Sequence, residues 1–258
     1  MNLTVFDDIQ LLAFFLAFSR WLGIVLNMPI FDNTSVPVTA KILSAMLISY
    51  VFFPVVETVL TNEILSVGKD NIWLLTSFHV LTGLTIGYIL KIIMGIFVSA
   101  GAIMTQQMGF SAVSYFDPTY AAKVGPIEKL IQWTLIIMII SSGGLLPIFK
   151  GALNSFHTLS FLNAAVWAKP AHFYYDFFKS LIVMALILSS PILFSNLLLN
   201  MVLGIVARTV PQMNILMVSF VVNIGIGLLV FVAISEEFFY VAYDAYVQKL
   251  GDWFRIIS

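Results

Sequence analysis

The sequence predicts an all-α integral membrane protein of about six long hydrophobic helices, some of them kinked or broken. Three observations predict it. Hydrophobic residues fill 60% of the 258 positions and charged residues only 10%, whereas roughly a quarter of a soluble domain is charged. Mean hydropathy is +1.02. Apolar runs near the length of about 20 residues needed to cross a bilayer core recur along the chain.

The runs extend from Ile9 to Ile30, Ile42 to Leu60, Ile72 to Met104, Leu130 to Phe149, Phe177 to Gly204 and Ile215 to Ile234. Turn-forming residues separate them: Pro29, Asp32-Asn33 and Pro37 after the first, Thr61-Asn62 and Gly68 after the second, Asp117-Pro118 and Gly125-Pro126 after the third. No Ser/Gly-rich linker, like-charged block or repeat period interrupts the order, so residues 1–258 read as a single membrane-embedded domain. In the third run Gly83, Gly87, Lys91 and Gly95 recur every four residues, aligning glycines on one ridge where another helix backbone can approach. From Asn71 to Gly101 that run would measure about 45 Å against a core of roughly 30 Å, so it must tilt, break or project. Pro191 removes one helical hydrogen bond from the fifth run, where a kink is expected, and Asn196 and Asn200 present amides one turn apart. Beyond the sixth run, Phe239, Tyr243, Tyr246, Leu250, Trp253 and Ile257 form the apolar stripe of an amphipathic helix, suited to a membrane interface or a partner.

Charge and composition exclude several classes of function. The net charge of −1, with twelve basic residues scattered singly, offers no stripe that could neutralise nucleic-acid phosphates. Cysteine is absent, so there is neither a disulfide framework nor a thiolate metal site. His79, His157 and His172 are far apart and lack ligand spacing. Zinc-protease, hydrolase-elbow and phosphate-loop motifs are missing, and no cofactor or enzymatic activity is expected. Basic residues outside the six runs or at their ends divide six (Lys69, Lys150, Lys169, Lys179, Lys249, Arg255) against four (Lys41, Lys123, Lys129, Arg208), which orients nothing. Either the spans are miscounted or protein shields some helices from lipid.

Two readings of the polar residues compete. Arg20, Lys41, Glu57, His79 and Lys91 are costly in a bilayer and would suit an ion-coupled transporter. Yet no carboxylate falls in the middle of a run, and Arg20 and Lys91 better suit pairing with carboxylates or backbone carbonyls across helix contacts, or snorkelling outward. The middle loop is the most informative polar region. Gln106, Gln107, Met108, Gly109, Phe110 and Ser111 lead to Tyr115, Phe116, Asp117 and Pro118, a turn-rich stretch with bulky, adaptable side chains. Such side chains can stop a hole and resist water.

The run RWLGIVLNMPIFDNTSVPVTAK, with Arg20, Pro29, Pro37 and Lys41, resembles the N-terminal signature of the FliR family of flagellar export proteins. NMVLGIVARTVPQMN, with Asn200, Gly204, Arg208, Pro211, Gln212 and Asn214, is similar to its C-terminal signature. Gln107-Met108-Gly109-Phe110 with Asp117-Pro118 is similar to its central loop, and Ser155-Phe156 and Pro191 fall in family-like places. The four motifs stand in family order across nearly the whole chain. Two departures appear: Gly144 is followed by Leu145 where the family often has Gly-His, and Ser160 stands where a proline is common. The Gly-Gly version resembles the injectisome homologues called SctT; the central loop and the SFHTL run resemble the flagellar branch.

The resemblance implies a non-enzymatic subunit in the bacterial inner membrane, at the flagellar basal body. There it would assemble with FliP-like and FliQ-like subunits, joined by an FlhB-like subunit, around a channel for unfolded exported polypeptides. Helices wrapped by sister subunits as well as membrane lipid would account for the uninformative charge balance. The resemblance also places Gln106 to Pro118 in the pore as a plug. Arg20, Gly83, Gly87, Lys91, Gly95, Asn200, Gly204, Arg208, Pro211 and Gln212 are the candidate subunit or helix contacts; for Arg208 and Gln212 local capping is an equal alternative.

Asp7 and Asp8 precede the first run and Arg20 interrupts it, unlike a cleaved secretory leader. The first segment is therefore expected to persist as a helix. N-terminal sequencing of the purified protein should find a start before it, and a start beyond Asn27 refutes this.

Overall fold

A computed structural model of the chain describes residues 7–31, 36–110, 125–161, 171–210, 212 and 214–257. The turn expected at Asp32-Asn33, and Ser111, Tyr115, Phe116, Asp117, Pro118 and Pro211, lie outside them. The described residues form seven α-helices and no strand. These are α1 (Asp8–Asn27), α2 (Val38–Val67), α3 (Ile72–Gln107), α4 (Pro126–Ser141), α5 (Leu146–Thr158), α6 (Ala171–Thr209) and α7 (Ile215–Ile257). Five helical stretches are long and apolar enough to cross a membrane, and α4 with α5 counts as a sixth if taken as one broken span.

Local chemistry sets the helix ends. At the start of α1 the Gln10 side chain accepts a hydrogen bond from the Asp7 amide at 3.2 Å, satisfying one of the donors a helix N-terminus leaves open. Pro126 opens α4, where a missing N–H costs nothing, and Glu128 reaches back to the Gly125 amide at 3.2 Å. α2 stops at Gly68, whose φ of 88° only glycine adopts readily. A short 3-10 turn, Lys69–Asn71, then leads into α3.

The fourth apolar run, expected as one helix from Leu130 to Phe149, is broken. After Ser141 the chain turns through Gly143 at φ 74°, and the Ser142 hydroxyl donates to the Met138 carbonyl at 2.6 Å. Pro147 then sits in the first turn of α5, where proline is tolerated. The third run extends further than expected, to 36 residues, or about 54 Å at 1.5 Å per residue. α6 runs as one helix through Pro191. The C-terminal amphipathic stretch continues the sixth run in a single 43-residue helix.

The described residues gather in two compact units. The first comprises Met1–Ile93, Gly143–Ala171 and Val247–Ser258, and so holds α1, α2, the first part of α3, α5 and the last turns of α7. Its core is α1 and α3 in close contact. A carbon added at Gly87 would lie 2.8 Å from the Ile24 carbonyl oxygen, and one at Gly23 would lie 2.7 Å from the Leu84 nitrogen. One at Gly83 would collide with the Arg20 carbonyl. Trp21 stacks on Phe52 at 5.8 Å and meets Phe149 and Phe156 at 6.0 and 6.4 Å, bringing α2 and α5 onto the same centre. Two residues of the expected amphipathic stripe of α7 are covered inside this unit: Leu250 and Trp253 are buried, and the neighbouring Phe254 ring occupies the notch at Gly151.

The second unit comprises Met94–Ser142 and His172–Tyr246. Gly101 lets α4 settle on α3, since a carbon there would stand 2.8 Å from the Glu128 α-carbon. Its α6 and α7 keep broad apolar faces exposed, including Ile182, Leu186, Phe194, Leu197, Met201, Ile205, Val221, Leu229 and Val232. Faces this greasy belong against lipid tails or other apolar helices.

Because backbone cannot yield as a side chain can, Gly83→Ala should destabilise the purified protein by about 1–3 kcal/mol. Gly95→Ala meets nothing within 4 Å and should be neutral or stabilising by up to about 1 kcal/mol. Thermal melts in detergent should separate the two; equal melting temperatures would refute the close α1–α3 contact.

Candidate functional site

Two polar constructions stand out among the apolar helices, one in each unit. The first arises from the glycine ridge of α3. Because Gly83 and Gly87 admit the backbone of α1, His79, one turn before Gly83, comes within reach of Arg20. The Arg20 side chain is completely buried, as is His79, and Glu63 on α2 is 2% exposed. Arg20 donates from Nε to His79 Nδ1 at 3.1 Å, from Nη1 to the Ser155 carbonyl at 2.7 Å and from Nη2 to the Leu159 carbonyl at 2.9 Å. Its guanidinium lies 4.3 Å from the centre of the Phe156 ring.

Those contacts assign the histidine tautomer. Since Nδ1 accepts from arginine, the proton sits on Nε2, which donates to Glu63 Oε2 at 3.0 Å. The other Glu63 oxygen accepts from the Phe161 amide at 3.0 Å. A neutral imidazole thus bridges a buried cation and a buried anion, and both ions grip the end of α5 and the residues just after it. Isolated, either charge would be very costly here; together, with every guanidinium nitrogen donating and both carboxylate oxygens accepting, they form a polar rivet joining α1, α2, α3 and α5. Of the transport candidates, Arg20 and His79 belong to this rivet. Glu57 is half-buried and accepts from Gln10 Nε2 at 2.8 Å, while Lys41 and Lys91 are half-buried on α2 and α3. Glu63 carries no signal in the sequence: it stands 43 residues from Arg20 and 16 from His79, and no spacing connects them.

The second construction is at the root of the central loop. α3 ends at Gln107, and Asn196 of α6 donates from Nδ2 to both the Gln107 carbonyl and Gln107 Oε1, each at 2.7 Å. Asn200 donates to Asn196 Oδ1 at 3.2 Å. Met108 is 1% exposed, and a carbon added at Gly227 of α7 would stand 2.5 Å from its Cγ, so the methionine fills a glycine notch. Gly109 turns the chain at φ 85°. Gln106 is exposed and Phe110 half-buried. The sequence suggested the loop and the two asparagines separately; the tertiary structure joins them.

The remaining candidate contacts are distributed. Gly83 and Gly87 face α1 within the chain, while Gly95 and Gly204 have no atom within 4 Å of an added carbon. Asn200, Gly204 and Arg208, spaced by four along α6, are all exposed, as is Gln212.

Arg20→Leu, which strands the Glu63 carboxylate, should cost about 3–5 kcal/mol and sharply reduce the folded protein recovered from membranes. Replacing Arg20, His79 and Glu63 together by apolar residues should restore much of that yield. Detergent melts and yields decide: a triple variant no better than Arg20→Leu would sink the rivet interpretation.

The family profile of bacterial export proteins, family 1, matches residues 11–248. The chain is 27% identical to the flagellar biosynthetic protein FliR of Bacillus subtilis over 239 residues, 91% of this chain and 90% of that protein. It is 24% identical to FliR of Escherichia coli over 210 residues, covering 81% and 78% of the two chains. It is also 24% identical to the Yop proteins translocation protein T of Yersinia pestis over 180 residues, 69% of each. With a match that takes in α2 to α6 whole, both polar constructions and the glycine ridge, the chain belongs to the bacterial export proteins of family 1.

Proposed function

We propose that this protein is a FliR-like, non-enzymatic subunit of the flagellar type III export gate in the bacterial inner membrane. It assembles with FliP-like and FliQ-like subunits, joined by an FlhB-like subunit, around a channel for unfolded polypeptides, and the stretch from Gln106 to Pro118 obstructs the closed channel. The observation that carries the reading is the family match over residues 11–248, with relatives named for flagellar biosynthesis aligned over most of both chains. The relative named for Yop translocation aligns over a shorter stretch, so the injectisome branch is the second choice.

The exposed stripe of α6 supports an assembled state. Asn200 and Arg208 are exposed polar groups among the exposed apolar side chains of Leu197, Met201 and Ile205, and Gly204 between them leaves an unfilled notch. Facing lipid, such groups would be costly and the notch would pack poorly; a neighbouring helix supplies both hydrogen-bond partners and a ridge.

Gentle extraction of the tagged protein should bring down two smaller helical membrane proteins resembling FliP and FliQ, identified by mass spectrometry. Recovery of the chain alone, fully active in vesicles, would overturn the reading. In the intact complex, replacing residues 111–118 with a Gly/Ser segment of equal length should raise ion leakage across the membrane while the subunits still co-purify. Unchanged leakage in an intact complex removes the plug role and leaves the assembly role standing.

A further inference from the structure

We infer that Asn196, braced by Asn200, and the glycine notch at Gly227 form a latch that holds Gln107 and Met108, and so positions the central loop; the loop's role as a plug is taken from the functional reading above. α3 ends at Gln107, where the last carbonyls of a helix lack partners. One of them is taken by a side chain from a different helix. Both protons of the Asn196 amide are used on a single residue, one on the Gln107 backbone and one on its side chain. The opposite amide orientation would set oxygen against two oxygens, so the network admits one arrangement, and Asn200 completes it by donating to Asn196 Oδ1.

The next residue is clamped by shape. Met108 enters a recess that exists because Gly227 has no side chain. Gly109 then takes a φ of 85°, a conformation that an L-residue rarely adopts. Hydrogen bonds, a buried knob and a turn thus act on three consecutive residues at the start of the loop. Asn196 is 7% exposed and lies in an apolar helix, where such bonds persist for want of competing water. They remain non-covalent and reversible, as a position that must be yielded to a passing chain requires. Asn196 and Gly227 are positioning residues: they act on the loop through Gln107 and Met108.

The absence of cysteine supplies a clean test in native membranes containing the whole complex. Met108→Cys should react slowly with a membrane-permeant maleimide. Adding Asn196→Leu, similar in size but without the donors, should speed its alkylation by roughly tenfold or more, as expected from losing two hydrogen bonds. Ala152→Cys, buried in the other unit, should remain protected. Equal rates for Met108→Cys with and without Asn196→Leu would overturn the latch. If Asn196→Leu exposes Ala152→Cys as well, the milder Asn200→Ala decides: faster alkylation of Met108→Cys with Ala152→Cys protected supports the latch, and no change overturns it. The alkylation rate needs no pore, so the latch can fail while loop replacement still raises leakage, and the reverse.

Discussion

A single buried guanidinium organises the first unit. Arg20 is fully buried, so the structure must supply acceptors for its donors and a counter-charge nearby. It does so from three directions: two carbonyls at the end of α5, the imidazole of α3 and, through that imidazole, the carboxylate of α2. Removing one partner leaves a charge with nowhere to turn, and this all-or-none character makes the arrangement specific. Apolar helices slide against one another at little cost; helices joined by directional bonds to one side chain do not.

The rivet depends in turn on how closely two backbones approach. With side chains at Gly83 and Gly87, α1 would be pushed away from α3 and His79 would lose Arg20. Small residues on one face and polar groups one turn away therefore work as a pair: the first sets the distance, the second fixes the register. The same economy recurs at the loop root, where Gly227 makes room for Met108 and Asn196 fixes Gln107. In both places glycine provides approach and an amide or ionic group provides direction.

The faces left without such devices are informative in another way. Along α6 and α7 large aliphatic side chains point away from the chain's own core, and on α6 they are interrupted by Asn200, Gly204 and Arg208. A protein meant to face lipid alone gains nothing from polar groups at those positions. A chain that completes itself with neighbours does, and membership of an export family agrees with that economy.

Much was legible in the sequence because it depends on local rules. Run length and hydropathy determined the helices, and the glycine spacing in α3 marked a contact face before its partner was known. Four ordered motifs pointed to the family. Gly143-Gly144 stands out in the sequence as a departure from the usual Gly-His, but that it breaks the fourth run follows from backbone geometry at Gly143, to which hydropathy is blind. The tertiary structure alone decided which distant residues meet. Glu63, His79, Arg20 and the end of α5 are joined across as many as 139 positions, and Asn196 reaches Gln107 across 89. Hydropathy and periodicity report how each residue relates to its own helix and its solvent. A hydrogen bond between helices depends on where two backbones come to rest, and only the packed chain determines that.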